Sequence, residues 1–526
     1  MNRLVFALTL LLNGAALAQQ VPNPQPRNTV NDHGALLTAS TATYPQGLWR
    51  LSFSPPDRPA PPQFYRPSNA ACPLFGGDGD YGSEVKSADG KCWLAVFGAE
   101  GADIRQWGVA FDGVVESTIS FNRAVTWAAT KGETLILPAG TGNALVDGAA
   151  ATIPNGKSLK IAGAGVDSSV IQVTGAIGLN LTYGGRASSI AFRDFALCDP
   201  TANTGKTAIR LSSPGIPKPA DAAINELNHI TIRGCAGLGG TQGFTTGVDV
   251  NQVSNVNFNG ITVQGPMPLG GGFPLAGTTG VKITSTPPDI SVSFNFHGAN
   301  ISYNNVGVSA SANTQGVTIS QSNFVVNNRS VVVPNASGTA EFTIQASAFE
   351  CVVTCLSLDA SIVNIYGNIF IMDVSNGVAM HFPTANDVLV SHNHIVQYFS
   401  NTGLVGIKID AVGVGSMVGI LRGNQFVGMD KGIQVVSAGD YALRILDNHY
   451  GGGTPIALGA GARILELSDS YIPFANVIPC GLVTLGARTR ISDSTVNTWG
   501  AYVTVGGGSN LVGAICNGTG YSIYAK

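Results

Sequence analysis

One pattern of apolar and polar positions recurs along the second half of the chain. A run of β-branched residues leads to a small polar turn that holds Asn or Asp, and an aromatic or aliphatic residue then begins the next run. The clearest copies are Val363–Phe370, Val388–Ile395, Ile420–Phe426, Leu443–Tyr450 and Ile464–Tyr471. Their turn residues are separated by 25, 31, 24 and 21 positions. A strand-forming repeat with a period of this size is typical of a solenoid.

The composition of the repeat favours strands over helices. Val, Ile, Thr, Asn and Gly dominate it, and apolar stripes with a helical period are absent. The pattern therefore predicts a parallel β-helix, in which equivalent residues of successive rungs stack about 4.8 Å apart. The turn residues should form a buried structural ladder, which we expect to continue backwards through Asp194, Asn300 and Asn323. The members in the clear copies are Asn368, Asn393, Asn424, Asn448 and Asp469.

One helix is predicted near the start of this region. Ser117 can cap it, and Lys131-Gly132 can end it. Its predicted apolar face consists of Ile119, Phe121, Val125 and Ala128. The strand Thr134–Leu137 should follow.

The residues around this helix resemble the opening of pectate-lyase-type β-helix proteins, which include many phage tailspikes. The matching motifs are Phe97-Gly98-Ala99, Phe111-Asp112-Gly113 and Leu135–Gly140, whereas Val115-Glu116-Ser117 stands where the family usually has Thr-Asp-Asp. The resemblance implies a right-handed, all-β parallel solenoid that is capped by a structural helix and acts on polysaccharide. We expect a secreted glycoside hydrolase or polysaccharide lyase that needs no cofactor.

The C-terminal residues support a rival hypothesis. From Gly486-Ala487-Arg488 to Asn517–Tyr521 the chain is similar to a short module that ends many phage tail proteins. This resemblance favours a non-catalytic adhesin or fibre that binds cell-surface glycan. It also leaves a homotrimer open.

The termini and cysteines predict an exported protein with small end modules. Met1–Ala18 has the apolar core and Ala-Leu-Ala end of a signal peptide, so we expect a secreted or periplasmic location and no membrane contact after cleavage. The predicted units are residues 1–18, 19–95, 96–475 and 476–526. Eight cysteines in an exported chain favour disulfides, and local pairing suggests Cys72–Cys92, Cys198–Cys235, Cys351–Cys355 and Cys480–Cys516.

Charge is scarce in this chain, which makes clustered charges informative. Charged residues are 11% of the 526 and the net charge is −3, so no basic surface for nucleic acid is expected. Aligning the strands after the turn on their Gly or Cys places Asp359, His381 and Asp410 in one outward column. Beside it runs a second column, which consists of Ser357, Ala379, Lys408 and Gln434.

Two chemistries fit the first column. Carboxylates two rungs apart would stand about 9.6 Å from each other, at the wide edge of the separation in inverting glycosidases. In that case Asp359 and Asp410 act as acid and base, and His381 tunes charge or binds sugar. Alternatively, Lys408 or His381 abstracts the proton α to a uronate carboxylate. The structural alternative is a solvated polar face.

Three further polar residues are candidates for substrate binding. Asp373 and Tyr398 form a second predicted surface column, in which Tyr398 could stack on sugar and Asp373 could act as an acid. Gln434 is a third candidate for substrate binding. The pair His392 and His394 lies at a turn and is interpreted as structural, so no metal site is predicted.

Overall fold

The structure is a computed structural model of the chain. It describes residues 28–526 except for 55–57, 202–204, 214–222, 238–239, 268–273, 287–289, 312, 334–340, 385–386, 399, 411–417, 468–471 and 482–483. The predicted signal peptide and the predicted ladder residue Asp469 lie outside the described residues. The fold prediction is confirmed: the chain forms a right-handed parallel β-helix of 34 strands.

Each turn of the solenoid supplies strands to three parallel sheets, called faces 1, 2 and 3 in chain order. Face 1 contains Thr134–Leu137, Ser158–Gly163, Val256–Asn259, Ser291–His297, Thr314–Ser320, Glu341–Gln345, Ile362–Tyr366, Asp387–Ser391, Val418–Arg422, Gly439–Leu446 and Ala462–Leu467, with Ala102–Asp103 paired to the first. Face 2 contains Ala144–Val146, Val170–Val173, Thr262–Gln264, Asn300–Ser302, Ile369–Met372, His394–Gln397, Gln425–Val427 and His449–Gly451.

Face 3 contains Ala149–Ile153, Ile177–Tyr183, Thr207–Ser212, Thr246–Asn251, Thr279–Thr284, Val306–Ala310, Val378–Phe382, Val405–Ile409, Lys431–Val435 and Thr454–Leu458. Four long strands pass around a corner and pair on two faces. Ser189–Asp199 and Asn225–Gly234 join faces 1 and 2. Asn323–Val333 and Ala348–Leu358 join faces 2 and 3.

Small mixed units precede and follow the solenoid. The first has a five-stranded sheet and helix α1, His33–Thr38; its strands are Thr29–Val30, Leu48–Arg50, Gln63–Ser68, Glu84–Lys86 and Cys92–Ala95. The last is an antiparallel sheet of Arg488–Ser494, Tyr502–Val503, Asn510–Cys516 and Tyr521–Ala525. Short 3₁₀ helices span Phe75–Gly77, Ile104–Trp107 and Phe474–Asn476.

The predicted helix is present as α2, Thr118–Lys131, and it packs on the first rungs of the solenoid. Gly132 ends it in a left-handed conformation. Two details of the prediction are wrong. The Ser117 hydroxyl accepts a hydrogen bond from the Ala110 amide instead of capping the helix, and Ile119 is 70% exposed because the buried face is centred on Phe121, Ala124 and Val125.

The interior of the solenoid is sorted by side-chain size. On face 2, Phe324, Phe349 and Phe370 stack with ring centroids 4.9 and 5.0 Å apart. Opposite them on face 3, small residues share one column: Ser330, Cys355, Ala379, Gly406 and Gly432. A Cβ added to Gly406 would lie 2.4 Å from the Phe426 ring. Large residues therefore fill the space that the small ones leave, as dense packing requires.

The asparagine ladder at the corner between faces 1 and 2 is confirmed over the described residues. The side-chain oxygens of Asn393, Asn424 and Asn448 each accept bonds from the backbone and side-chain nitrogens of the asparagine one rung earlier. The residue before each asparagine has a positive φ, for example 55° at His392. This left-handed residue makes the corner tight.

The backward extension of the ladder is wrong. Strand register places Ser347 and Ser322, not Asn323 and Asn300, in line with Asn368. The Ser347 amide donates to Asn368, and the Ser322 amide donates to the Ser347 hydroxyl. Asn300 and Asn323 are exposed one position later. Asp194 lies one position earlier, in the left-handed column, with a φ of 60°.

All four predicted disulfides are present: Cys72–Cys92, Cys198–Cys235, Cys351–Cys355 and Cys480–Cys516. One lies in the first unit, two lie in the solenoid and one lies in the last unit, and Cys351–Cys355 closes within the single strand Ala348–Leu358. Among the described helices, neither length nor apolar character is sufficient for a membrane span.

Candidate functional site

Strand register corrects the predicted outward columns on face 3. Cys355, Ala379 and Gly406 are in register, so the alignment of the 377–381 segment on Gly377 was displaced by two residues. His381 consequently lies in one column with Ser357, Lys408 and Gln434. Ala379, which was predicted to face outward, is buried in the column of small residues. The prediction that His381 separates Asp359 from Asp410 in one column is therefore wrong.

The corrected register nevertheless brings three predicted residues into direct contact. His381 Nε2 lies 2.6 Å from Asp410 Oδ2, and Lys408 Nζ lies 3.2 Å from the same oxygen. Alternation explains the exposure, because Met380 and Phe382 point inward and leave His381 outside. The His381, Lys408 and Asp410 side chains are 23%, 30% and 29% exposed. We call them the His–Lys–Asp cluster.

The backbone of Asp410 is held by residues of the next rung. The Ser437 hydroxyl donates to the Asp410 carbonyl at 2.7 Å, and the Tyr441 hydroxyl donates to the Ser437 carbonyl at 3.0 Å. Burial raises the pKa of Tyr441, with a smaller contribution from the Asp410 charge. Sequence reasoning missed Ser437 and Tyr441, because only the register of the next rung places them behind Asp410.

Asp359 does not join the cluster. Backbone register puts it in the column of Pro383 and Asp410, so it is two rungs, or about 9.6 Å, from Asp410 along the axis. Its residue surface is only 8% exposed, and its carboxylate accepts a hydrogen bond from Thr384. Asp359 is thus tied to a neighbouring loop, while Gln434 continues the outward column beyond Lys408.

A second polar group forms where face 2 turns towards face 3. Asp373 and Tyr398 follow the paired residues Met372 and Gln397, so they occupy adjacent rungs as predicted. Tyr398 is 68% exposed. Asp373 makes a side-chain hydrogen bond with Glu350, which the sequence analysis did not identify. Burial, followed by the Glu350 charge and this hydrogen bond, raises the pKa of Asp373 to about 7.

Among the residues that the structure describes, no group of three or more His, Cys, Asp or Glu side chains has the arrangement of a metal site. His394 points outward on face 2, and His392 occupies the left-handed corner position.

No protein-family model matches the chain, and no curated protein has significant sequence similarity to it. Solved structures do match. The chain resembles the tailspike protein of Acinetobacter phage vB_ApiP_P1 with a TM-score of 0.51 and 12% identity, over 95% of this chain and 90% of that one.

Two further structures match at lower TM-scores. For the enzymatically active domain of bacteriophage CBA120 tailspike protein 2 the score is 0.43 at 11% identity, covering 78% of this chain and 61% of that domain. For the A-module of the Azotobacter vinelandii mannuronan C-5 epimerase AlgE4 it is 0.42 at 16% identity, covering 69% and 99%. At 12% identity, the likeness to the Acinetobacter phage tailspike concerns the fold alone.

Proposed function

We propose that the protein cleaves an acidic polysaccharide by β-elimination and that the His–Lys–Asp cluster performs the reaction. The observation that carries the proposal is the contact of both His381 and Lys408 with one Asp410 oxygen, at 2.6 and 3.2 Å. A carboxylate that accepts from one imidazole nitrogen fixes the tautomer of the ring. The other nitrogen then keeps its lone pair and can act as a base.

The elimination divides into roles that these groups can fill. His381 Nδ1 takes the proton α to a uronate carboxylate, the electron pair forms a carbon–carbon double bond, and the glycosidic oxygen at the β carbon departs. The protonated imidazole returns the proton to that oxygen when the two lie on one side of the sugar. Lys408 offsets the charge that develops on the substrate carboxylate. Asp410 is a positioning residue, because it acts through His381.

The geometry favours this reaction over direct hydrolysis. An inverting hydrolase needs two carboxyl groups that both face the sugar, with about 6.5–9.5 Å between them. Asp410 is engaged by His381 and Lys408, and Asp359 is nearly buried against Thr384. The two-rung separation of Asp359 and Asp410 is the remaining support for hydrolysis.

A non-catalytic glycan-binding fibre is the second candidate. The supporting observation is that the cluster satisfies its own charges on the outside of a sheet, and none of the five described cavities is lined by it. A tailspike-like fold and the C-terminal unit fit such a fibre, and a homotrimer would be its expected assembly. Tyr398, Asp373 and Gln434 would then contact the glycan.

Export is part of both proposals. Four disulfides in one chain are typical of an oxidising compartment, and the predicted signal peptide provides a route. Comparing periplasmic or secreted protein with protein expressed without residues 1–18 tests this directly. Export predicts that cleavage follows Ala18 and that only the exported form contains all four disulfides.

One assay separates the three functions. The purified protein is incubated with polysaccharides with and without uronate, while new reducing ends and the ultraviolet absorbance of unsaturated uronates are followed. A lyase gives both signals and a hydrolase gives reducing ends alone. A fibre gives neither signal but retains binding.

The variants His381→Gln and Asp359→Asn assign the reaction, with His394→Gln as the matched control because it is an exposed histidine of face 2. The lyase proposal predicts that only His381→Gln abolishes both signals. Equal activity of His381→Gln and the unmodified protein would contradict it. Loss of hydrolysis in Asp359→Asn would support the two-carboxylate alternative.

A further inference from the structure

A depression lies on face 1, far from the His–Lys–Asp cluster. One cavity of about 320 Å³ is lined by residues of the early rungs, including Lys160, Arg193, Glu226 and Asn228. A second, of about 580 Å³, shares Ala162 and Arg193 with it and extends to Glu100. Volumes of this size suit small-molecule ligands. Arg193 is about six rungs, or roughly 29 Å, from His381 along the axis.

Alternating side-chain size produces the depression. Register places Ala162 beside Arg193 and Lys160 beside Ala191. The four residues form a square in which the two alanines lie on one diagonal and the two cations lie on the other. Ala162 is buried, Ala191 is half-buried and both cations are exposed. The two cations begin from backbone positions about 8 Å apart on the diagonal, from the strand spacing and rise. Their charged ends can therefore converge above a floor of alanine.

The cations are available to a ligand. Within the part of the chain that the structure describes, neither Lys160 nor Arg193 has a carboxylate within ion-pair distance. Two other arginines of the early rungs differ in this respect, because Arg210 binds Asp249 and Arg233 binds Asp167. An arginine and a lysine that converge on one depression offer a forked donor and a point charge to an anion.

The next rung adds groups that suit sugar hydroxyls. Asn228 Nδ2 lies 3.3 Å from Glu226 Oε2, and Asn259 Nδ2 lies 2.8 Å from Asn228 Oδ1. These bonds fix the side chains of Glu226 and Asn228 along one edge of the cavity. Glu226 retains acceptor capacity for a hydroxyl, while its charge disfavours a ligand that carries several anionic groups at that edge.

We propose that this depression is a second glycan site, which binds the carboxylate of one uronic acid residue between Lys160 and Arg193. The hydroxyls of the same sugar lie towards Glu226 and Asn228. The ligand class is that of the proposed lyase, so the inference rests on that function for the polymer but not for the binding geometry. The site would retain an acidic polysaccharide on face 1 while the His–Lys–Asp cluster on face 3 is free to act.

Binding is measured by calorimetry with a galacturonate hexamer, in the His381→Gln background so that turnover does not consume the ligand. The hexamer methyl ester, which has the same sugars without the carboxylate charge, is the matched ligand. Lys160→Met and Arg193→Met are compared with Arg186→Met, an exposed arginine outside the cavity that removes the same charge. Each cavity variant should weaken binding about 10-fold or more, whereas Arg186→Met should not.

Several results would overturn the site. They are no binding of the hexamer, equal binding of its methyl ester, or unchanged affinity in Lys160→Met and Arg193→Met. Tighter binding of a sulfated neutral oligosaccharide would replace the carboxylate with sulfate as the ligand. The test is independent of the proposed reaction: hexamer binding that depends on both cations, in a protein that cleaves nothing, supports the site and rejects the lyase. Cleavage of the polymer by the unmodified protein, together with unchanged affinity in Lys160→Met and Arg193→Met, supports the lyase and rejects the site.

Discussion

The asparagine ladder and the His–Lys–Asp cluster lie on the same solenoid, and they differ in how many of their polar atoms have hydrogen-bond partners. Inside the first corner, Asn368, Asn393 and Asn424 are 1% exposed and each side chain bonds its neighbours and the backbone. On face 3, His381, Lys408 and Asp410 are partly exposed, and the Oδ1 atom of Asp410 is buried without a hydrogen-bond partner among the described residues. A complete network stabilises the fold, whereas an incomplete one retains capacity for a ligand.

The largest expected effect concerns the His–Lys–Asp cluster. Asp410→Asn keeps the shape of the side chain but removes the charge that orients His381. If the lyase proposal is correct, kcat on a uronate polymer should fall about 10²–10⁴-fold, because the imidazole loses the group that orients it.

Asp447→Asn is the control for Asp410→Asn, since Asp447 belongs to an exposed pair with Arg422. Both variants should keep the melting temperature of the unmodified protein within a few degrees. A large loss of stability in Asp410→Asn with an unchanged kcat of the folded protein would assign Asp410 to the fold instead.

Substitutions in the asparagine ladder should change stability and not activity. Asn393→Ala removes an acceptor from Asn368 and a donor to two carbonyls, and the stranded buried groups should cost about 1–3 kcal/mol each. Chemical denaturation measures the loss. Asn364→Ala, on the outer side of face 1, should change stability much less. Full stability of Asn393→Ala would contradict the ladder.

A weaker effect is expected where the ladder changes from asparagine to serine. Ser347→Ala removes one hydroxyl, which donates to the Gln345 carbonyl and accepts from the Ser322 amide. Because Asn393 loses more bonds, Ser347→Ala should destabilise the protein by a smaller amount, about 1 kcal/mol. The same denaturation series decides the order; an equal or larger loss at Ser347 would reject this ranking.

A pH-dependent effect on stability is expected from the Glu350–Asp373 pair. The pKa of Asp373 is raised from 3.8 to about 7 in the folded protein, so the folded state holds its proton more tightly than the unfolded state. This contribution to stability is fully present below the unfolded pKa and is lost as the pH rises to about 7. Asp373→Asn should therefore flatten the decline in melting temperature between pH 4 and 8. An unchanged decline would show that the pair is not its source.

The repeat predicted the fold because strand, corner and spacing recur in the same order, and side-chain amides at the corner are easily recognised. Ser322 and Ser347 were missed because a serine in a Gly- and Ser-rich chain carries no positional signal. The error at His381 has a similar cause. Gly377 and Ala379 are both small enough for the column of small residues, and only the strand register places Ala379 in it.

Contacts between side chains of neighbouring rungs were the least predictable. Glu350 meets Asp373 because two strands of face 2 lie in register, a fact that depends on every loop length between them. Tyr441 and Ser437 reach Asp410 in the same way. The sequence could nominate His381, Lys408 and Asp410 as scarce charges, but it could not order them, since a two-residue displacement moves a side chain to a different column.

The corner between faces 1 and 2 has a consequence for how such a molecule can change over generations. The left-handed residue and its buried neighbour are the two residues between Tyr366 and Ile369, and the same holds between Ser391 and His394. The next corner is different, with five residues between Met372 and Val378 and seven between Gln397 and Val405. An insertion would break the first corner, but the second corner accommodates loops of different length. We therefore expect changes in length to occur in the loop that carries Tyr398. The first corner thus preserves the solenoid, while changes in the neighbouring loop can alter specificity.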